Sequence, residues 1–234
     1  MTLVVVTNAS TVITDDAVLA VIPALSLQVS RDLASIWPGI SADLSFVSKG
    51  GAIPHGAWAL CIIDDTDQAD SLGYHDLTMG GQPISKVFAK TDSDYGEDWH
   101  VTASHELCEM LCDPQIDQIV TTVYDGKPAT TIREVCDAVE GNMYAIDGIM
   151  VSDFVTPNFY DSAKTDGVKY DFLSVLSAPM TLAQGGYMSL QDASGNWTQV
   201  FGQAVTTWKR VAPHGSRRER LRAGHKRWRR STAI

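Results

Sequence analysis

Short β-branched runs and one long amphipathic stretch organise the first hundred residues. Residues 3–7 predict a strand, and apolar residues at helical spacing from Leu19 to Ile36 predict a helix. Thr14 or Asp15 would cap this helix and Pro38-Gly39 would end it, while Pro23 indicates a start or a kink inside it. Strands are also predicted at 42–48, 57–65 and 84–91. This order favours an α/β (α+β) fold in which helices pack on a mixed sheet.

After Pro114 the hydrophobic pattern changes to short segments separated by turn signals. Glycine, asparagine and aspartate recur between them, which is typical of small hairpins. Residues 189–202 predict one hairpin with Ser194, Gly195 and Asn196 at its tip. We therefore expect an α/β subdomain at 1–115, a β-rich subdomain at 116–208 and a basic, flexible tail at 209–234.

Composition excludes wholesale disorder and indicates no export signal. Hydrophobic residues make up 44% of the chain and charged residues 20%, which is ordinary for a globular protein. The sequence shows no apolar run close to the roughly 20 residues that span a bilayer. The N-terminus lacks a basic region ahead of its apolar run, so no signal peptide is predicted. We expect a protein that is cytoplasmic as synthesised and has no membrane partner.

Charge is distributed unevenly along the chain. The formal net charge is -10, yet residues 209–234 contain ten lysines and arginines against one acid. Such a cluster would neutralise phosphates or an acidic protein surface, and Trp228 is interleaved with it. The tail residues expected to bind nucleic acid or such a partner are Arg217, Arg218, Arg220, Arg222, Lys226, Arg227, Arg229 and Arg230.

The stretch VTASHELCEMLCDP at 101–114 carries the clearest chemical pattern. On a helix, His105 and Glu109 lie one turn apart, with Glu106 at the edge of the same face. The opposite, core-facing side consists of Ala103, Leu107, Met110 and Leu111. Asp113-Pro114 would end the helix. The polar face has an imidazole and carboxylates but no lysine or arginine.

This HExxE pattern suits a metal site. Zinc accepts histidine nitrogen and carboxylate oxygen, and ligands at i and i+4 need little ordering. Glu106 would then activate metal-bound water as the general base. A glutamate ligand also suits a harder divalent ion, such as manganese or calcium. Candidates for a third ligand are Glu134, Asp137 and Glu140. The alternative is a solvated acidic helix face.

Two motifs in the same order resemble the exordium-like (phosphate-induced) family and its bacterial relatives. The matched positions are Ser104, His105, Glu106, Glu109, Asp113, Pro114, Glu134, Asp137, Glu140 and Gly141. The resemblance implies a zincin-like fold, with His105, Glu109 and Asp137 as metal ligands and Glu134 as the rival third ligand. Asp113 and Cys112 would orient the ligands from outside the ligand set.

Other candidate residues of the site have weaker signals. Tyr144 could donate a hydrogen bond to an oxyanion. His75 and His100 could bind substrate or add a ligand, although a lone histidine is more often structural. A cysteine nucleophile is disfavoured, because Cys108 is surrounded by acids and not by the cations that would favour a thiolate. The cysteines are expected to be buried free thiols, with a bridge from Cys112 to Cys136 as the alternative.

The sequence leaves two functions open. One is a zinc hydrolase, peptidase-like, acting on a peptide or protein substrate. The other is a phage virion or assembly protein, oligomeric, in which the metal site is structural or a relic and the basic tail binds its partner. Glu106 favours catalysis, because a structural site needs no free general base, whereas the tail favours assembly.

Overall fold

The structure is a computed structural model that describes residues 1–67 and 71–202. The chain has an α+β fold and divides into two compact units. The first comprises residues 1–114 and 143–152, and the second comprises 115–142 and, of the described residues, 153–202. The basic tail predicted at 209–234 lies outside the described residues. The two units are described separately below.

A five-stranded mixed sheet forms the centre of the first unit. Its strands are β1 (Thr2–Asn8), β2 (Ala42–Ser48), β3 (Trp58–Ile63), β4 (Gly73–Leu77) and β5 (Pro83–Phe88). They are ordered β2-β1-β3-β5-β4, with β4 antiparallel to β5 at one edge and the other neighbours parallel. The central strands β1, β3 and β5 are largely buried, as expected for strands covered on both faces, whereas the edge strand β2 is only partly buried. The sequence predicted four of these strands and missed β4.

One continuous helical stretch follows β1. It consists of α1 (Asp15–Leu27), a π-helical segment (Gln28–Leu33) and α2 (Ala34–Ile36). Thr14 caps it, since its Oγ1 accepts a hydrogen bond from Ala17 N at 3.2 Å. The alternative in which the helix starts near Pro23 is wrong, because α1 already begins at Asp15.

This stretch is apolar over most of its length. An 18-residue window of its 22 residues has a mean hydropathy of 1.4, so length and composition alone would suffice to cross a membrane. A buried core helix has the same properties. Here α1 packs against β1 and β2, with Val18, Val21 and Leu25 buried.

Two further helices and one hairpin complete the first unit. The helices are α3 (Ala89–Tyr95), which starts where strand 84–91 was expected to continue, and α4 (Trp99–Cys112). The hairpin consists of β8 (Met143–Ile146) and β9 (Ile149–Ser152). Helix α4 packs against β4, β5 and β9. It is therefore fixed from several sides.

The second unit is β-rich, as predicted. Its strands β6 (Ile119–Tyr124), β7 (Lys127–Ile132), β10 (Tyr187–Gln191) and β11 (Trp197–Phe201) form an antiparallel sheet in the order β11-β10-β7-β6. The predicted hairpin is confirmed: Gln191 pairs with Trp197, so residues 192–196 form its loop. Short 3-10 helices lie at Asp137–Val139 and Pro157–Tyr160.

Candidate metal centre

Helix α4 holds the HExxE residues in a buried position. His105 Nε2 lies 3.3 Å from Glu109 Oε1, as the spacing of one turn predicts. The side chain of Glu109 is 5% exposed and that of His105 13% exposed. The solvated helix face that the sequence left as an alternative is therefore wrong. A buried carboxylate of this kind must be paired or bind a cation.

A second histidine faces the same carboxylates from the edge strand. His75 on β4 places its Nδ1 3.6 Å from Glu109 Oε2 and 3.6 Å from Glu106 Oε2. Its side chain is 6% exposed. Glu109 thus presents one carboxylate oxygen to His105 and the other to His75. Together, the two histidines and two glutamates form a buried cluster within the first unit.

Gly73 brings β4 and α4 close together beside this cluster. A Cβ atom at Gly73 would lie 2.6 Å from Thr102 Cγ2 and 2.9 Å from Glu106 Cγ, closer than real Cβ contacts. On the neighbouring strand, Ser85 Oγ donates a hydrogen bond to the Glu106 carbonyl oxygen at 3.1 Å. The absence of a side chain at Gly73 and the Ser85 hydrogen bond together fix Glu106 close to the sheet.

The two glutamates have pKa values shifted in opposite directions. Burial raises the pKa of Glu106, although His75 and His105 oppose that shift. Burial also acts on Glu109, but attraction and hydrogen bonding from His105 and His75 outweigh it and lower the pKa. Glu106 is therefore the more basic of the two carboxylates.

A further buried acid, an aspartate, interacts electrostatically with Glu106. Asp92 on α3 is fully buried, and its Oδ1 accepts a hydrogen bond from Thr102 Oγ1 at 2.8 Å. Burial, reinforced by nearby acids that include Glu106, raises the pKa of Asp92 to about 8. The sequence analysis did not single out this residue.

Tyr144 and His100, both considered for the site, have their own partners in the first unit. Tyr144 donates its hydroxyl to Asp32 Oδ2 at 2.8 Å, and burial together with this bond raises the phenol pKa. His100 Nδ1 lies 2.9 Å from the Met150 carbonyl oxygen, on strand β9. A role for Tyr144 as an oxyanion donor stays a prediction.

The last turn of α4 contains the residues predicted to orient the ligands. Asp113 is 1% exposed, and its backbone N–H donates to the Glu109 carbonyl oxygen at 2.8 Å. Cys112 is buried as a free thiol, as are Cys61, Cys108 and Cys136. The alternative of a bridge between Cys112 and Cys136 is therefore wrong in this structure. Burial raises the thiol pKa of Cys61 to about 12.

The predicted third ligands belong to the second unit. Glu134 follows β7, Asp137 begins the first 3-10 helix and Glu140 follows that helix. Asp137 is 7% exposed. Their participation in metal binding stays a prediction.

The sequence did not place His75 on a strand, because β4 has no alternation of apolar and polar residues. Its sequence, GYHDL, contains one strongly apolar residue, so hydrophobic periodicity does not detect a strand. The available signal was the turn at Gly80-Gly81, between this segment and the apolar run at 84–88. Glycines flanked by two extended segments are typical of a hairpin. In the structure they connect β4 to β5.

Comparison of the chain with protein-family models, with curated proteins and with solved structures gives no match. The resemblance to the exordium-like family therefore stays a prediction.

His105 and Glu109 present two donors at the spacing of neighbouring metal ligands. Imidazole and carboxylate are common zinc ligands, and two ligands about 2.1 Å from a tetrahedral ion lie about 3.4 Å apart. His105 Nε2 and Glu109 Oε1 are 3.3 Å apart. Glu106 Oε2, in addition, is buried and accepts no hydrogen bond from the described residues. Such an acceptor needs an explanation in the site.

Proposed function

We propose that the protein is a metal-dependent, peptidase-like hydrolase, with zinc as the first candidate ion. The observation that carries the proposal is the pair of His105 and Glu109 donors, 3.3 Å apart on a buried helix face that also holds Glu106. A structural site would need the ligands but no free carboxylate next to them.

Each α4 residue of the site would have its own chemical role. His105 and Glu109 would hold the ion, with a ligand from Asp137 or Glu134 as a further prediction. A bound zinc ion would polarise a substrate carbonyl group and lower the pKa of a water molecule to about 7. Glu106 would take the proton from the attacking water and return it to the leaving amine. The raised pKa of its carboxyl suits this exchange.

Metal content tests the first half of the proposal. Protein purified without a metal-binding tag should contain about one zinc ion per chain by elemental analysis. His105→Ala should lose it, whereas His55→Ala, at an exposed histidine, should retain it. Wild-type protein that takes up no metal after zinc addition would exclude the hydrolase.

Activity tests the second half. Glu106→Gln should retain the metal but cleave a fluorogenic peptide library about 100-fold or more slowly, as expected for loss of a general base. Glu97→Gln, at an exposed glutamate three residues before His100, is the matched control. Equal cleavage by wild type and Glu106→Gln would assign the site a structural role.

The charge asymmetry of the chain supports a second candidate function, a virion or assembly protein with a structural metal site. Ten lysines and arginines at 209–234 contrast with 27 acids in the preceding residues. Binding to nucleic acid should then fall steeply with salt and disappear when the chain is ended after Trp208. Unchanged binding by the shortened chain would remove this candidate.

A further inference from the structure

Two aspartates of the second unit lie next to each other in its interior. Asp153 and Asp171 are both 0% exposed, and their side chains are hydrogen bonded to each other. The segments that contain them are also joined. Val155 pairs with Asp171 in an antiparallel bridge, and Phe172 N donates to the Phe154 carbonyl oxygen at 2.9 Å. The two residues therefore form a buried aspartate pair.

Each carboxyl group of the aspartate pair also accepts hydrogen bonds from the backbone that follows Asp171. Asp171 Oδ1 accepts from Leu176 N at 2.7 Å, and its Oδ2 accepts from Val175 N at 2.8 Å. Asp153 Oδ1 accepts from Leu173 N at 3.2 Å. The aspartate pair thus fixes the backbone of one loop at several points.

This loop, residues 171–176, depends on such hydrogen bonds. Ser174 has a φ of 64°, in the left-handed region that residues with a side chain rarely adopt. Leu173 is 37% exposed and Val175 is 49% exposed, so burial of these two apolar side chains holds the loop only weakly. Loss of its hydrogen bonds to the aspartate pair should therefore release it.

The hydrogen bond between the two side chains implies a proton. An ionised carboxylate only accepts hydrogen bonds, so two carboxyl groups bond each other only when one of them is protonated. Two carboxylates in contact inside a protein also repel each other. Burial, followed by the charge of Asp171 and the hydrogen bond with it, raises the pKa of Asp153 to about 8. Asp153 is therefore the member that carries the proton at neutral pH.

The segments packed against the aspartate pair contain further titratable residues. Backbone hydrogen bonds join 153–155 to the segment that ends at Asn142. The titratable residues of this segment and of the one before Asp171 are Arg133, Glu134, Asp137, Glu140, Lys169 and Tyr170. Lys169 and Tyr170 each donate to a backbone carbonyl oxygen at 3.1 Å. The charge with the largest effect on Asp153 is that of Asp171.

We propose that Asp153 and Asp171 share one proton and act as a pH-sensitive clasp on the 171–176 loop. While the proton is shared, the aspartate pair has a single negative charge and holds the N–H groups of the loop. When the second carboxyl ionises, the hydrogen bond between the side chains is lost and the two charges repel, so the loop opens more often. The clasp lies in the second unit and does not depend on the metal centre proposed for the first.

The direction of the pH effect follows from the pKa of Asp153 in the closed and open loop. An aspartate exposed to water has a pKa of about 3.9, whereas the value for buried Asp153 is about 8. Between these values the closed loop binds one proton more than the open loop, so closure is favoured in acid and weakens as the pH rises. The opening constant should rise about tenfold per pH unit, and about 100-fold from pH 5 to pH 7.

Asp153→Asn tests the clasp, because asparagine has the shape of the protonated acid and can donate to Asp171 but cannot ionise. Asp166→Asn, at an exposed aspartate of the same unit, is the matched control. Hydrogen exchange of the full-length protein would be followed at the Val175 and Leu176 amides and corrected for the intrinsic exchange rate. Wild type and Asp166→Asn should show the rise of about 100-fold in opening, and Asp153→Asn a rise of less than about threefold. Equal pH dependence in wild type and Asp153→Asn would overturn the clasp.

Infrared spectroscopy detects the shared proton directly. At pH 7 the spectrum of wild type minus that of Asp153→Asn should contain the carbonyl stretch of a protonated carboxylic acid, which wild type minus Asp166→Asn should lack. Absence of this band from the first difference would refute the shared proton. If Asp153→Asn does not fold, exchange in the wild type alone decides. Opening at Val175 and Leu176 that does not change between pH 5 and pH 7 would overturn the proposal.

Discussion

Ser104, next to His105, connects three elements of the first unit, and its removal should be costly. Its Oγ donates to Gln28 Oε1 at 2.8 Å and accepts from Ser152 N at 2.8 Å. Gln28 Nε2 in turn donates to the Ser152 carbonyl oxygen at 2.9 Å. The network joins the π-helical segment, α4 and β9, and all three residues are at most 2% exposed.

Ser104→Ala deprives two buried polar groups of a partner, the Gln28 amide oxygen and the Ser152 N–H. Each such loss costs about 1–3 kcal/mol, so the free energy of unfolding should fall by about 3 kcal/mol. Ser30→Ala is the matched control, because its hydroxyl bonds the Ser26 carbonyl oxygen at 2.8 Å on an exposed surface. It should change the free energy of unfolding by no more than about 0.5 kcal/mol.

Equilibrium urea unfolding followed by circular dichroism measures both changes. A second variant, Gln28→Met, alone and combined with Ser104→Ala, completes a double-mutant cycle. Because the residues share one network, the effects should be non-additive by about 1 kcal/mol or more. Equal losses in Ser104→Ala and Ser30→Ala, or strict additivity in the cycle, would refute the network as a source of stability.

Three further results follow from the first unit. Gly73→Ala should destabilise the protein by about 1–3 kcal/mol in thermal unfolding, because the added methyl overlaps Thr102 and Glu106, and an unchanged melting temperature would contradict the close approach. The stability of Asp92→Asn relative to wild type should rise by about 3 kcal/mol between pH 5 and pH 7. The Asp92 carboxyl has a pKa of about 8 in the folded protein, so the wild type loses stability as the pH rises above the lower pKa that the carboxyl has in the unfolded chain. A pH-independent difference would show that the carboxyl is not protonated. Zinc at 100 times its dissociation constant should stabilise wild type by about 2.7 kcal/mol and leave His105→Ala unchanged in the same unfolding assay.

The sequence correctly predicted those helices and strands whose ends are set by neighbouring turn residues and prolines. Strand β2 was expected at 42–48 and occurs at Ala42–Ser48, and α4 ends at Cys112, just before the Asp113-Pro114 pair. The hairpin at 189–202 formed around its glycine turn. Turn residues and prolines restrict the backbone of their immediate neighbours, so their effects can be read from a short window.

Helical spacing was less successful at predicting which residues are buried. Leu25, Val29 and Leu33 of the predicted apolar stripe are buried, but Leu19 is 46% exposed and Gln28 is fully buried. The π-helical segment begins at Gln28 and rotates the following residues relative to a regular helix. Gln28 is tolerated inside because Ser104 and Ser152 satisfy its amide. That compensation involves residues far away in sequence.

The candidate site shows the same division between local and long-range information. The relation between His105 and Glu109 follows from one helical turn, and their spacing was predicted correctly. The burial of that face follows from its packing against β4, a strand recognised only when it pairs with β5. The sequence therefore did not place His75 next to Glu106 and Glu109.

The HExxE pattern alone does not distinguish a metal centre from an acidic helix, since both have the same local sequence. The distinction arises on β4, where glycine and histidine alternate at positions 73 and 75. Without a side chain at Gly73 the helix can approach the strand, and this approach removes Glu106 and Glu109 from solvent. Burial makes their charge costly, and the imidazole of His75 at the same face offsets part of that cost for Glu109. Under the proposed function, a divalent cation would offset the remaining negative charge. Substitution of Gly73 or His75 should therefore change the environment of Glu106 and Glu109 without any change in the sequence of α4.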